Sequence, residues 1–283
     1  MKKILLVLVV SLIIFIQGCN SNNETFVIKD INLELIKCPA GSFIMGSPNE
    51  EYLEVKTKLN DRNFHNYCYG FDYTEKQHSV TITKPFYIGK YEVTQKQYEI
   101  IMGKNPSCFK GYNNPVESIS FWKDAKDFCD KLNIKYLSIL PKGYKFDLPT
   151  EAQWEYACRA GTNTALNNGK NLSSEIDTCP DLDEVAWYKN NSGKTTHEIG
   201  QKKPNAWGIY DMHGNVVEWC RDRYGEYTSE NVVDPYESKK GQEYVLRGGC
   251  WADLPLNCRS ACRRGFDIGR DCFGFRVALV PID

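Results

Sequence analysis

The fold is decided by residues Gly208–Trp219, which read GIYDMHGNVVEW. This stretch predicts a tight turn followed by a short strand near Val217–Cys220. Most of the chain from Asn163 onward otherwise reads as loop, with further short strands near Glu243–Arg247 and Phe275–Leu279. Few helices and much organised loop predict an α+β fold whose function lies on its loops.

Three helices are predicted upstream of this stretch. Thr94 followed by Gln97 has the pattern of a capping box at a helix start. Ser120 is expected to open a second helix over Phe121–Leu132, because apolar residues recur there with helical spacing. Thr150 is expected to cap a third helix in the same way as Thr94.

Strands are predicted on either side of a long charged loop. Glu34–Gly46 reads as two short strands joined by a turn, and Val80–Tyr87 returns to strand after the loop Ser47–Gln77. The chain has six Trp and 17 Tyr. About 260 residues beyond the N-terminal segment can therefore form one large domain with a substantial aromatic core.

The N-terminus has the regions of an export signal. Two lysines precede the apolar run Ile4–Ile16, which is too short to span a bilayer. Cys19 lies at the cleavage point, so the segment resembles a bacterial lipoprotein signal in which Cys19 carries the lipid. We expect a signal peptide at residues 1–18, a lipidated tether at 19–33 and one domain at 34–283, with ordinary secretion as the alternative.

Charge and cysteine content narrow the class of protein. Removing residues 1–18 takes away two lysines, so the formal charge falls from −1 to −3. This charge gives no indication of nucleic-acid binding. Eleven cysteines follow Cys19. Export is expected to oxidise some of them to disulfides, and the odd number leaves at least one unpaired within the monomer.

Five phrases, in a fixed order between Glu34 and Val280, carry a family resemblance. They are Gly41–Ser47, Tyr87–Thr94, Leu148–Ala157, Gly208–Trp219 and Arg247–Trp251. The chain resembles the sulfatase-modifying-factor family, which comprises the formylglycine-generating enzymes and their relatives. The resemblance implies the formylglycine-generating enzyme-type variant of the C-type lectin fold, an α+β fold with little regular secondary structure.

The resemblance also implies where the family's enzymes bind copper(I). In those enzymes two cysteines, five residues apart, follow the Arg-Gly-Gly-Ser-Trp phrase, and paired thiolates suit this soft ion. The second position falls on Cys258, but the first falls on Asp253, and the Ser of the phrase is Cys250. A single thiolate cannot form the two-sulfur site. Copper-dependent oxidation of a substrate cysteine is therefore disfavoured, with Cys258 as its candidate catalytic residue.

A calcium site is the other metal site that the resemblance implies. The family's ligands match Asp211, Gly214, Val216 and Glu218, which offer two carboxylates and two main-chain carbonyls to a hard cation. The alternative is that Asp211 and Glu218 only hydrogen-bond the turn. The four histidines are scattered along the chain. A lone histidine such as His213 is more often a core or surface residue than a ligand.

Residues Arg247–Asp283, hereafter the C-terminal segment, contain no Lys, Glu, Gln or Met, although Lys and Glu supply 44 of the 283 residues of the chain. Some members of the resembled family are variable receptors, in which a retroelement mutates adenines of a C-terminal cassette. Asn codons then become codons ending in a pyrimidine, which excludes Lys, Glu, Gln, Met and Trp. The candidate variable, ligand-binding positions are Cys250, Ala252, Asp253, Leu254, Leu256, Asn257, Cys262, Gly265, Phe266, Asp267, Ile268, Asp271, Cys272 and Phe273.

These features predict a non-enzymatic lipoprotein similar to the variable lipoproteins of treponemes. It is expected to be anchored by Cys19 in the outer membrane, at the cell surface, and to bind an unknown protein or small-molecule ligand through a variable patch at about residues 247–277. The expected solvent-facing apolar anchors of the patch are Leu254, Phe266, Ile268 and Phe273. The expected polar rim comprises Asp253, Asp267, Asp271, Arg263, Arg264 and Arg270.

Three alternatives stay open. The residue depletion reflects chance in a compact C-terminus, or the protein is an enzyme with thiol chemistry at Cys258 helped by Cys262, or it is a structural lipoprotein with a degenerate enzyme fold. Glu151 is interpreted as a charge that favours a helix start. The tryptophans interpreted as packing residues rather than ligand contacts are Trp154, Trp207, Trp219 and Trp251.

Overall fold

A computed structural model describes residues 24–48, 51, 75–227, 230–239 and 241–282. The α-helices in these residues are α1 Gln95–Met102, α2 Trp122–Lys135, α3 Glu151–Arg159 and α4 Pro180–Asp183. Short 3-10 helices cover Lys29–Ile31, Leu137–Ile139 and Pro255–Cys258. The strands are β1 Thr25–Ile28, β2 Leu33–Cys38, β3 Gly41–Met45, β4 His78–Ile82, β5 Phe86–Gly89, β6 Tyr144–Asp147, β7 Ala186–Trp187, β8 His213–Gly214, β9 Val217–Arg223, β10 Val232–Val233, β11 Tyr244–Arg247, β12 Arg263–Phe266, β13 Phe273–Gly274 and β14 Ala278–Pro281. The predicted α+β class is confirmed.

The helix starts with side-chain caps are where the sequence predicts them. The Thr94 hydroxyl accepts a hydrogen bond from the Gln97 N–H at 3.2 Å, and the Gln97 side chain accepts one from the Thr94 N–H at 2.9 Å. The same reciprocal pair of bonds forms at Thr150. Helix α2 begins at Trp122 without a side-chain cap. The prediction that Ser120 opens this helix is wrong, because its hydroxyl donates to a carbonyl two residues earlier.

The largest sheet has the strand order β1-β2-β5-β14-β6. Glu34–Gly46 forms two strands, as predicted, but they belong to different sheets, because β3 joins the order β10-β4-β3. Strand β1 places Phe26 and Ile28 in the main core, and each is 1% exposed. The domain therefore begins by Thr25. The predicted tether at 19–33 is too long, because its second half buries apolar side chains.

A four-stranded sheet, in the order β12-β11-β9-β13, contains the stretch that decides the fold. Strand β11 runs antiparallel along one side of β9, and β13 runs parallel along the other. Gly214 starts the turn before β9 with a φ of +74°, and a Cβ there would lie 2.1 Å from the Trp187 carbonyl oxygen. Only glycine fits such a position. The turn thus positions β9, which pairs with β11 along one edge and with β13 of the C-terminal segment along the other.

The tryptophans are packing residues, as interpreted from the sequence. Trp154 and Trp219 are fully buried in two neighbouring core clusters. Trp207 packs edge-on against the Tyr156 ring, with ring centroids 5.0 Å apart. Trp251 is half-buried against the main core. The aromatic content therefore contributes to the stability of the fold.

The cysteines that the structure describes do not form disulfides. Each of these ten residues has a free thiol, nine of them at least partly buried and Cys108 exposed. The expectation of disulfides is thus not met in this part of the chain. Cys68 and the predicted lipid-bearing Cys19 lie outside the described residues, as does the signal peptide at 1–18. None of the described helices is long and apolar enough to cross a membrane.

Candidate binding surface of the C-terminal segment

The buried side chain of Arg247 binds the main chain of the C-terminal segment at residues 260–262. Its fully buried guanidinium donates to the carbonyls of Ser260 at 3.0 Å, Ala261 at 2.6 Å and Cys262 at 2.8 Å. It also pairs with the carboxylate of Glu155. Burial raises the pKa of Glu155, but nearby arginines, Arg247 among them, hold that pKa below its usual value. A buried charge without such partners would be strongly destabilising, so residues 260–262 are held close to Arg247.

Two further arginines of the segment point inward. Arg259 donates to both carboxylate oxygens of Glu75 at 2.8 and 3.1 Å. Arg263 donates to both oxygens of Glu151 at 2.7 Å and lies over the Tyr227 ring, 4.0 Å from its centroid. The prediction that Arg263 belongs to a solvent-facing rim is wrong, because it is only 2% exposed. Glu151 likewise does more than favour a helix start, since it neutralises this buried charge.

The candidate variable positions fall into two groups, and the first group is buried. Phe273 is 2% exposed and packs edge-on against Trp219, while Leu254 is 7% exposed. The prediction that Leu254 and Phe273 are solvent-facing anchors is therefore wrong, because both side chains pack in the protein interior. The buried candidate positions are Cys250, Leu254, Leu256, Asn257, Cys262 and Phe273. A ligand outside the protein does not reach these side chains in this structure.

The second group is exposed or half-buried and lies mostly in residues 264–272, which comprise the end of β12 and the loop after it and are hereafter called the exposed loop. Ile268 is 57% exposed, and Phe266 is half-buried beneath the Arg270 guanidinium, 5.1 Å from the ring centroid. The N–H of Gly269 donates to the Ser120 carbonyl at 2.6 Å, which brings the loop beside Phe121, 54% exposed. The accessible candidate positions are Ala252, Asp253, Gly265, Phe266, Asp267, Ile268, Asp271 and Cys272.

Two of the accessible positions are constrained by their neighbours. Asp253 accepts from both terminal nitrogens of Arg264, at 2.8 and 3.1 Å, so these two predicted rim residues are paired with each other. A Cβ at Gly265 would lie 2.6 Å from Cγ of Tyr224. A larger residue at 265 requires that ring to move. The unconstrained part of the surface is therefore centred on Asp267, Ile268 and Asp271.

The cysteine of the enzymatic alternative is inaccessible. Cys258 is fully buried at the end of a 3-10 helix, and burial raises its pKa well above the usual value. Cys262 is also buried, and its pKa is raised for the same reason. Protonated, inaccessible thiols are poor nucleophiles and poor copper ligands. Asp253, at the other copper position, is committed to Arg264.

The two carboxylates of the predicted calcium site are used within the fold. Both oxygens of Glu218 accept from Arg276, at 2.6 and 2.7 Å, and one also accepts from the Trp154 indole N–H at 2.7 Å. Asp211 accepts from the Gly200 N–H at 2.7 Å, and burial raises its pKa to about 6. Arg276 therefore supplies the positive charge that Glu218 requires. The alternative in which both carboxylates only hydrogen-bond the turn is not met either, because their partners Arg276, Trp154 and Gly200 lie outside it.

The other two predicted calcium ligands lie in the same turn. The Gly214 N–H donates to the Gly248 carbonyl at 2.8 Å, and the Val216 N–H donates to Glu92 at 3.1 Å. Glu92 also accepts from the Asn215 side chain at 2.7 Å. The sequence did not indicate this role, because Glu92 lies far from Asn215 along the chain. Among the described residues, no group of three or more His, Cys, Asp or Glu side chains is arranged to bind a metal ion.

His213 is a core residue that contacts the segment. Its Nδ1 lies 2.6 Å from the Cys258 carbonyl, which assigns the proton to this nitrogen, and Nε2 accepts from the Asn167 N–H at 3.1 Å. Burial lowers the pKa of His213 to about 4. The neutral ring therefore connects β8 to the 3-10 helix at Pro255–Cys258. The expectation that a lone histidine is structural is confirmed.

These short helices, curled sheets and organised loops define the formylglycine-generating enzyme-type variant of the C-type lectin fold. The chain belongs to the family of the sulfatase-modifying factor enzyme 1-like domain, whose model matches residues 28–280. It is similar in structure to Treponema denticola variable protein 1, with a TM-score of 0.74 and 28% identity over 93% of this chain and 100% of that protein.

Two relatives in sequence carry different names. The chaperone protein LppX of Paenibacillus barcinonensis is 31% identical over 87% of this chain and 89% of that protein. The formylglycine-generating enzyme of Mus musculus is 28% identical over 62% of this chain and 47% of the enzyme. The relatives of this chain therefore include both a named enzyme and a protein named as a chaperone, so membership of the family does not by itself define an activity.

Proposed function

We propose that this protein is a non-enzymatic, membrane-anchored binding protein whose ligand is selected by the exposed loop. The observation that carries the proposal is the contrast within one segment. Arg247, Arg259, Arg263 and Arg276 are buried and paired with carboxylates, whereas Ile268 is 57% exposed. A rigid base with an accessible apolar and charged loop suits recognition of a partner.

The chemistry of the exposed loop favours a protein ligand. Ile268 and Phe266 supply apolar contact area, and Phe121 extends it. Arg270, Asp267 and the neighbouring Asp271 surround this area with charges of both signs. An apolar centre with a charged rim is typical of protein-binding surfaces. The resemblance to a variable protein and to a chaperone supports binding over oxidation.

The anchoring part of the proposal rests on residues 1–19 of the sequence. The charged start, the short apolar run and Cys19 have the order of a bacterial lipoprotein signal. A lipid on Cys19 would hold the domain at a membrane while the exposed loop binds its ligand. Metabolic labelling with a radioactive fatty acid tests the anchor, because the Cys19→Ser variant should incorporate no label.

The binding proposal is tested with a phage-displayed random peptide library panned against the protein lacking residues 1–18. Selected peptides should lose about tenfold or more in affinity for the Ile268→Asp variant, because a charge replaces an apolar anchor. The matched control is Ile134→Asp, since Ile134 lies on α2 and is 80% exposed. Equal binding to both variants, or no selected peptide, would contradict the proposal.

A further inference from the structure

A cavity of about 450 Å³ has a lining that differs from the exposed loop. The start of α3, the end of β9 and the region of β10 line it, with Ala152 and Val232 among its apolar walls. None of residues 264–272 lines it. Its volume falls within the range of small-molecule sites in proteins.

The inner wall of the cavity carries a buried carboxyl group. Asp222 is 5% exposed, and its oxygens accept from the main-chain N–H groups of Glu151 at 2.8 Å and Glu237 at 3.0 Å. Arg263, the arginine whose charge acts on Asp222, is bound to both oxygens of Glu151. Among the described residues, Asp222 therefore has no side chain of opposite charge within salt-bridge distance.

A histidine supplies a second acceptor. His78 is 9% exposed, and its Nδ1 lies 3.0 Å from the Lys76 carbonyl, which assigns the proton to this nitrogen. In the neutral ring Nε2 is then an acceptor. No described residue donates to Nε2, and the ring lines the cavity beside Tyr227, with ring centroids 4.7 Å apart. The His78 ring therefore offers a second polar contact in the cavity lining.

The cavity lining also excludes an anion. Glu226 is exposed where it lines the cavity, which adds a negative charge to that of Asp222. The arginines of the lining are engaged elsewhere. Arg263 is bound to Glu151, and the Arg223 guanidinium lies 3.8 Å from the Tyr244 ring centroid and donates to a carbonyl. The carboxyl group of Asp222 and the ring of His78 thus line the cavity, and the two arginines of the lining bind other groups.

We propose that this cavity binds a primary alkylammonium ion, with the ammonium group donating to Asp222 and His78 and the alkyl chain lying against Val232. An ammonium group offers three donors and a positive charge, and its aliphatic chain packs on apolar surface. The ion can be a free diamine or the side chain of a lysine in a peptide. This site is separate from the ligand-binding role of the exposed loop.

Isothermal titration calorimetry of the protein lacking residues 1–18 tests this site. The probes are 1,5-diaminopentane, Nα-acetyl-lysine-N-methylamide and, as the uncharged control, 1-pentanol. The two amines should bind saturably and the alcohol should not. Tighter binding of the diamine would indicate a free amine as ligand, and tighter binding of the lysine derivative would indicate a peptide. No saturable binding of either amine would overturn the proposal.

Two variants and a control locate the binding. Val232→Phe fills the cavity and should weaken amine binding by about tenfold, while Glu226→Gln removes one charge and should weaken it by about threefold. Glu230→Gln is the matched control, because Glu230 is exposed nearby but does not line the cavity. Thermal melting checks that each variant folds. Amine binding that is equal in both variants and the wild type would overturn the assignment to this cavity.

The pH dependence gives an independent readout. Burial, followed by the charge of Glu151, raises the pKa of Asp222 to about 7, while Arg263 and the N–H groups of Glu151 and Glu237 oppose this rise. A bound ammonium ion favours the carboxylate, so binding should release protons and tighten as the pH is raised through 7. Titrations in two buffers of different ionisation enthalpy measure this release. No net proton release would contradict contact with Asp222.

Discussion

Two parts of the C-terminal segment both lack Lys, Glu, Gln and Met, but one part is buried and the other is exposed. Residues 254–263 are buried throughout, and Arg259 and Arg263 in them bind carboxylates of distant elements. The exposed loop, which begins at the next residue, has side chains in solvent such as Asp267 and Ile268. The same absence of Lys, Glu, Gln and Met thus covers a structural base and an accessible surface. Residue composition alone does not separate the two.

The largest difference in the free energy of unfolding is expected between substitutions of two arginines, Arg263 and Arg270, both of which the sequence analysis predicted in one polar rim. Arg263→Met leaves Glu151 buried without its bidentate partner and should lower the free energy of unfolding by about 4 kcal/mol. Arg270→Met, in the exposed loop, should change it by less than about 0.5 kcal/mol. Urea unfolding followed by tryptophan fluorescence measures both. Similar losses for the two variants would remove the distinction between base and loop.

A second pair compares two apolar residues that were both predicted to face solvent. Phe273 is buried against Trp219, so Phe273→Ala should cost about 3 kcal/mol of stability. Ile268 is 57% exposed, so Ile268→Ala should cost less than about 0.5 kcal/mol. Differential scanning calorimetry of both variants checks this. A large loss at Ile268 would mean that the exposed loop belongs to the packed base.

The pH dependence of stability tests the buried part of the comparison through His213. The pKa of His213 is about 4 in the folded protein, below the ordinary value of 6.5. Its contribution to stability is therefore complete above pH 6.5 and is lost as the pH falls toward 4. The loss amounts to roughly 3 kcal/mol. His213→Gln should show a flatter stability profile over this range, and an unchanged profile would contradict the buried, neutral ring.

The smallest expected effect is on an ion pair at the edge of the exposed loop. Asp253→Asn weakens a half-buried pair with Arg264 and should cost about 1 kcal/mol. This loss should shrink in 1 M salt, where charges on partly exposed groups are screened. Urea unfolding at low and high salt measures the change. A salt-independent loss would mean that the pair of Asp253 and Arg264 behaves like the buried ion pairs of Arg259 and Arg263.

Local patterns in the sequence predicted local structure well. Thr94 and Thr150 cap their helices because a capping box involves only residues three apart. The short strands followed from residue type and spacing. Ser120 failed as a helix start because its hydroxyl bonds within its own loop.

The site was predicted less completely, because its features depend on distant residues. The burial of Leu254 and Phe273 depends on packing against other elements. The absence of Lys, Glu, Gln and Met from the C-terminal segment does not reveal this packing. The partners of Arg259 and Arg263 are Glu75 and Glu151, more than a hundred residues earlier. Ile268, in contrast, was placed correctly on the surface.

The central claim is that variation and ligand choice belong to the exposed loop and not to its buried base. The most direct measurement is the sequence of genomic near-copies of the codons for residues 247–276. The account predicts adenine-specific differences concentrated at Ala252, Asp267, Ile268 and Asp271, with Arg247, Arg259, Arg263 and Arg276 unchanged. Differences spread evenly over buried and exposed codons, or the absence of any near-copy, would contradict it.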